Sequence, residues 1–155
     1  MEKTLPSSNL YSHPGRLLEE HLIGTSRLAD LFLSEKPQKI KEKLADITRI
    51  ITLSHDIGKA TAYFQKYLSA DEKEKTEEAR HSLFSAVCAY YLIREISKEG
   101  LHPLFAYITV RRHHGSLIDV SDEVSIFDGK DAELLHRQLD AIDESAFVIL
   151  AGKLF

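Results

Sequence analysis

Ser54-His55-Asp56-Ile57-Gly58-Lys59 gathers an imidazole, a carboxylate and an ammonium within six residues. Lys59 follows Asp56 by three positions and His55 by four, spacings that share one face of a helix. A nitrogen ligand, an anionic oxygen ligand and a cation side by side suit a metal ion that handles phosphate. A His-Asp dipeptide is commonplace on its own, so the remaining ligands must come from elsewhere. Eight histidines are available: His13, His21, His55, His81, His102, His113, His114 and His136.

Helices must bring them together. Pro6, Ser7, Ser8, Asn9, Pro14 and Gly15 make residues 1–15 an irregular arm. Leu17, Leu18, Leu22, Leu28, Ala29 and Phe32 recur at helical spacing and predict a helix over about 16–34. After a turn at Ser34–Pro37, the apolar positions from Ile40 to Ile51 predict a second helix running into Ser54-His55-Asp56. Gly58 marks a break or a close packing point, because glycine costs a helix ~1 kcal/mol relative to alanine. Tyr63 to Leu68 reads as a short third helix, and the charged stretch 69–80 as a solvated segment without chemistry of its own. A fourth helix is expected over about 80–98 and a fifth over about 103–113, separated by Gly100 and Pro103. Residues 116–129 read as a long loop. A sixth helix follows over about 130–143, and a seventh from Ser145 to the end. No strand pattern emerges. The fold class is all-α, a multi-helix bundle in a single domain over 1–155. The chain stops inside the apolar run 146–155, which reads as a truncated domain.

Composition narrows the classes. Hydrophobic residues make up 43% and charged residues 28%, as in ordinary globular domains. No apolar run approaches the ~20 residues of a membrane span, and no signal-peptide core is present. The single cysteine, Cys88, suits a reducing cytoplasm and reads as a small core residue. A net charge of −4 argues against a broad basic surface for nucleic acid. From Ser116 onward there are nine acidic residues against three basic ones; residues 1–115 hold 15 acidic and 17 basic. A local positive field would then come from bound cations.

On this map His21 lies in the first helix and His55-Asp56 ends the second. His81 opens the fourth, and His113-His114 end the fifth. Helix bundles build metal sites from side chains of several facing helices. Imidazole suits transition metals, whereas magnesium prefers an all-oxygen shell. One carboxylate has two oxygens and can bridge two ions that clamp a phosphodiester. Singly, each histidine has a plainer reading: a half-buried helical His21, a helix-opening His81, a surface pair at a helix end. His102 and His136 read as structural. His13 sits in the arm and is expected to stay off the metal.

The order His21, His55-Asp56 with Gly58-Lys59, His81, then His113-His114-Gly115 resembles the HD superfamily of metal-dependent phosphohydrolases. Ser54-His55-Asp56-Ile57-Gly58-Lys59-Ala60-Thr61 with Phe64-Gln65, Arg80-His81-Ser82-Leu83 and Arg112-His113-His114-Gly115 is similar to the HD nuclease of type I CRISPR interference. The resemblance covers about residues 10–115. It implies one ion on His21, His55 and Asp56, and a second on Asp56, His81, His113 and His114. Lys59 would contact the scissile phosphate, with Asp56 and Lys59 as the catalytic pair. It implies two divalent transition-metal ions, Mn, Fe, Co or Ni rather than Mg. Single-stranded DNA would be the substrate, delivered by a separate helicase subunit and an RNA-guided surveillance complex. The family usually supplies a later aspartate to the first ion after an apolar run like Phe147–Phe155. The sequence ends before one, leaving Asp140 or Asp143 as substitutes. The rivals are a nucleotide or cyclic-nucleotide phosphohydrolase and a helical adaptor that has kept part of the motif.

Overall fold

Two short antiparallel strands, β1 (Tyr11–His13) and β2 (Arg16–Leu17), precede the helices. The structure, a computed structural model, describes residues 7–97, 100–126 and 129–155. The strands correct the expectation of an irregular arm. Pro14 and Gly15, read as breakers, form the hairpin turn instead: Gly15 has φ +74°, the left-handed region that the third position of a Pro-Gly turn requires.

Eight α-helices follow among the described residues. They are α1 (Leu18–Ser34), α2 (Gln38–Ser54), α3 (Ala62–Ser69), α4 (Ser82–Ile96), α5 (His102–Arg111), α6 (Val120–Ile126), α7 (Gly129–Asp140) and α8 (Glu144–Leu154). A 3-10 turn, Ile57–Ala60, links α2 to α3. The all-α expectation holds but for the small hairpin. None of these helices is long and apolar enough to cross a membrane.

The expected loop over 116–129 contains α6. Asp119 decides this: its carboxylate accepts the backbone N–H of Ser121 at 2.9 Å, and its carbonyl that of Glu123 at 3.0 Å. Asp122 and Glu123 then lie in the first turn, where negative charge is favoured. The acidic cluster is thus a helix start.

Two apolar cores flank the bundle's centre. Leu10, Leu18, Leu22, Leu53, Ile57, Leu150 and Leu154 join the hairpin, α1, the end of α2 and α8. Ala86, Ala89, Ile93, Ala106 and Val110 join α4 to α5, backed by Ile47, Ile50 and Ile51 of α2. Alanines at this interface let the two helices approach closely. Cys88 packs on the first core, and burial pushes its thiol up to about 12, which disfavours the thiolate.

Glu19 of α1, 5% exposed, accepts from the Ser8 hydroxyl and the Lys153 ammonium, tying arm, α1 and α8 together. Burial alone would raise its pKa; the bonds from Lys153 and Ser8 outweigh it and hold the carboxyl below its ordinary 4.5. Glu19→Gln is expected to cost about 2 kcal/mol at neutral pH, the scale of a hydrogen bond to a charged group. Because the folded pKa is depressed, that stabilisation is present above the unfolded value of 4.5 and is lost as pH falls through the folded value. Urea unfolding of both proteins at neutral pH and near pH 3 measures it. A stability gap that stays constant between the two would refute the assignment.

Candidate metal centre

Asp56 follows the last turn of α2 and is 2% exposed. Its two oxygens face different groups. Oδ2 lies 2.8 Å from His21 Nε2, 3.5 Å from His55 Nε2 and 2.8 Å from Lys59 Nζ. Oδ1 lies 2.9 Å from His81 Nε2 and 3.2 Å from His113 Nε2. His114 Nε2 is 3.2 Å from His81 Nε2. His21 and His55 with Asp56, and His81, His113 and His114 with Asp56, form two groups that could each hold a metal ion. His21, His55, Lys59, His81 and His113 therefore converge on one carboxylate, with His114 beside His81, and the ends of α2, α4 and α5 meet α1 there.

The geometry suits cations. The carbonyls of Thr52 and Val110 accept from Nδ1 of His55 at 2.7 Å and of His113 at 2.6 Å. A neutral ring so held keeps its proton on Nδ1 and turns a lone pair on Nε2 toward Asp56. Lone pairs facing carboxylate oxygens repel unless a proton or cation lies between. Ligands bonded to one ion at about 2.1 Å would stand about 3.0–3.4 Å apart, close to the 2.8–3.5 Å between Asp56 and its imidazoles. His114 is held neutral: burial first, then the neighbouring His113 and His81, lower its pKa to about 4. Burial also lowers that of His55, despite Asp56 and Thr52. Burial pulls His113 down as well, but its bonds to Asp56 and Val110 outweigh this and raise it. Burial would raise the Asp56 carboxyl; bonds from His113, His21 and His81 hold it far below the carboxylate range. Asp56 is ionised at any ordinary pH.

Lys59, 5% exposed, sits in the 3-10 turn with its ammonium 5.4 Å from the Phe64 ring centroid. Thr61 caps α3 by accepting from Phe64 N at 3.3 Å. Gln65 explains the Phe-Gln motif. Its amide nitrogen donates to the carbonyls of Lys59 (2.7 Å) and Tyr11 (2.8 Å), and its oxygen accepts Tyr11 N–H (3.1 Å). The side chain therefore fastens the hairpin to the turn that carries Lys59. Gln65→Ala should cost about 1–2 kcal/mol and speed amide exchange at Tyr11; unaltered exchange there would refute the clamp.

A cleft of about 600 Å³ opens over Lys59, His81 and His114, lined also by His13 and Pro14 of the hairpin and by Lys73, Lys75, Thr76, Ala79 and Arg80. Residues 13–150 match the family model described as Cas3, HD domain. The chain belongs to the Cas3 HD-domain family. Among curated relatives, it is 30% identical over 94 residues to the CRISPR-associated nuclease/helicase Cas3 of Haloferax volcanii, covering 58% of this chain and 10% of that protein. It is also 30% identical over 81 residues to the CRISPR-associated endonuclease Cas3-HD of Pyrococcus furiosus, covering 52% of this chain and 33% of that protein. The chain thus spans a third or less of the curated relatives it matches. No solved structure matches.

Within this HD domain neither proposed substitute joins the first group. Asp143 caps α8 by accepting Ala146 N–H at 3.0 Å, and Asp140 is exposed at the end of α7. His102 and His136 lie outside both groups. One further residue, Glu123, has no signal in the sequence, and His13 lies closer to the centre than the metal ligands alone require. Glu123, 3% exposed, pairs with Arg112 and, at 3.4 Å, with Arg111, so α6 braces the end of α5 that carries His113-His114. His13, expected to stay off the metal, belongs to neither group, but it lies on the hairpin with its ring 5.4 Å from that of His21. Only its neighbouring Pro-Gly pair hinted at a turn that could bring it there.

Proposed function

We propose that this HD domain is a metal-dependent deoxyribonuclease of CRISPR interference that hydrolyses phosphodiester bonds in single-stranded DNA, with Asp56, His21, His55, His81, His113 and His114 as the residues that would hold two ions. The observation that carries the reading is that the two oxygens of one buried carboxylate face two separate sets of imidazole nitrogens. A nitrogen-rich set favours Mn, Fe, Co or Ni over Mg. When bound, such ions supply Lewis-acid polarisation of the phosphate and acidify water.

The chain's own residues do the rest. His55 and His113 are held in one tautomer by backbone carbonyls, so no reorientation is needed when ions enter. Lys59 reaches the cleft floor with its ammonium in a water-poor site. There it meets a non-bridging phosphate oxygen and stabilises the charge that grows on it. The His13 hairpin narrows the cleft beside His21. A nucleotide phosphohydrolase would need a closed pocket that reads a base; this cleft is rimmed by exposed Lys73, Lys75 and Arg80 and suits a strand lying across it. A separate helicase subunit and an RNA-guided complex would present that strand, in keeping with the nuclease/helicase name of the Haloferax relative.

The test is elemental analysis of the purified protein, then assays on single-stranded DNA, duplex DNA and mononucleotides with Mn, Co, Ni and Mg. Cleavage of single strands with a transition metal is expected. Turnover of mononucleotides alone would overturn the reading in favour of the phosphohydrolase. No bound metal and no cleavage would favour an adaptor.

A further inference from the structure

The segment between α3 and α4 carries five carboxylates and three cations over residues 70–80. By composition it is acidic and unlike a nucleic-acid binding surface. The fold sorts these charges. Lys73, Lys75 and Arg80 all line the cleft over the metal centre, and none of the five carboxylates does. Glu74 stands off the cleft between two lysines that face it, the alternation of an extended chain. Glu78 turns to Arg137 of α7 at 3.2 Å. The backbone of this wall is anchored. Gln138 of α7, fully buried, donates to the carbonyls of Glu78 (2.9 Å) and Arg80 (2.7 Å). Lys73 Nζ stands 5.8 Å from the Tyr67 ring centroid, and Tyr67 lines the same cleft. Among the described residues, Lys73, Lys75 and Arg80 form no ion pair with a carboxylate.

We infer that this wall is the track for the DNA backbone on one side of the scissile phosphate. Lys73, Lys75 and Arg80 take phosphates that follow the one over Lys59, and Tyr67 offers its ring to a base. Such interactions are blind to sequence, because phosphates and π-faces recur at every nucleotide. They also answer how a chain of net charge −4 holds a polyanion: a few cations are gathered at one cleft while the carboxylates beside them point elsewhere. The inference rests on the nuclease reading and adds the residues that engage the strand beyond the ions.

The test measures binding of a labelled oligothymidylate by fluorescence anisotropy over a range of salt concentrations. EDTA is present so that cleavage does not intervene. The double variant Lys73→Gln, Lys75→Gln is compared with Lys39→Gln, Lys41→Gln, which removes the same charge from the far end of α2, about 20 Å along the helix from Asp56. The first variant should bind about tenfold more weakly at about 0.1 M salt, and its slope of log K against log salt should be shallower by about 1.4, or ~0.7 for each phosphate no longer neutralised. The second should match the wild type. Equal losses in both variants, or no change in the first, would overturn the track. Loss of the first variant's metal content in elemental analysis would also overturn it, since the wall would then be a support of the centre. A wild type that cleaves nothing would sink the nuclease reading, while the slopes still decide the wall.

Discussion

Asp56→Asn is expected to release the bound metal and to reduce single-strand cleavage at least about a thousandfold, equivalent to about 4 kcal/mol of lost transition-state stabilisation. The carboxamide fills the same space but offers one neutral oxygen where two anionic ones stood. Four imidazoles and Lys59 now lie within 3.5 Å of the carboxylate oxygens. Without the charge they have nothing to balance a pair of ions. Lys59 also loses its counter-ion while 5% exposed, and stranding one partner of a buried pair costs about 3–5 kcal/mol. The variant should therefore melt earlier as well, so helicity and melting are recorded beside metal content to confirm that it folds. Asp56→Ala should be worse, since it adds a cavity. A folded Asp56→Asn that keeps its metal and its cleavage would refute the bridging role.

Gly58→Ala should be nearly as damaging although it touches no charge. A β-carbon there would stand 2.4 Å from the His81 carbonyl oxygen and 3.0 Å from Ser85 Oγ. That carbonyl accepts Ser85 N–H at 3.0 Å in the first turn of α4, so it cannot retreat without unwinding the turn. Gly58 N–H also donates to Ser85 Oγ at 2.9 Å. The expected loss is about 3 kcal/mol, at the upper end for forcing an extra methyl into a packed site. His81 sits on the displaced backbone, and its Nε2 would leave Asp56 Oδ1. Metal affinity should fall about 10–100-fold, the usual scale when a ligand loses its support. Ser85→Ala separates the two effects: it removes only the hydrogen bond, costs about 1 kcal/mol and keeps the metal. Equal melting of Gly58→Ala and wild type in thermal unfolding would sink the steric argument.

Much of this centre was legible in the sequence because its elements are local. The 3.6-residue recurrence of Leu18, Leu22 and their neighbours specifies which face of α1 is buried, and so which side His21 can approach. The residues around His55, His81 and His113 place each histidine at a helix end. The hairpin was less legible, because three strand residues against two carry no periodicity to read. α6 was hidden for another reason. Its acidic residues resemble a loop until Asp119 is seen as a cap and Glu123 as the partner of Arg111 and Arg112.

By itself the sequence determined the helical class and the side-chain types of the candidate centre, since periodicity and side-chain chemistry are written residue by residue. Only the tertiary structure decided that the two oxygens of Asp56 face different histidine sets. It alone showed that Gly58 packs directly on α4, and that the acidic segment before α4 turns its cations to the cleft. These outcomes depend on partners 27 residues away for Gly58 and Ser85, and 60 for Gln138 and Glu78. No local pattern encodes such pairings; they arise when the two cores close and bring the helix ends together.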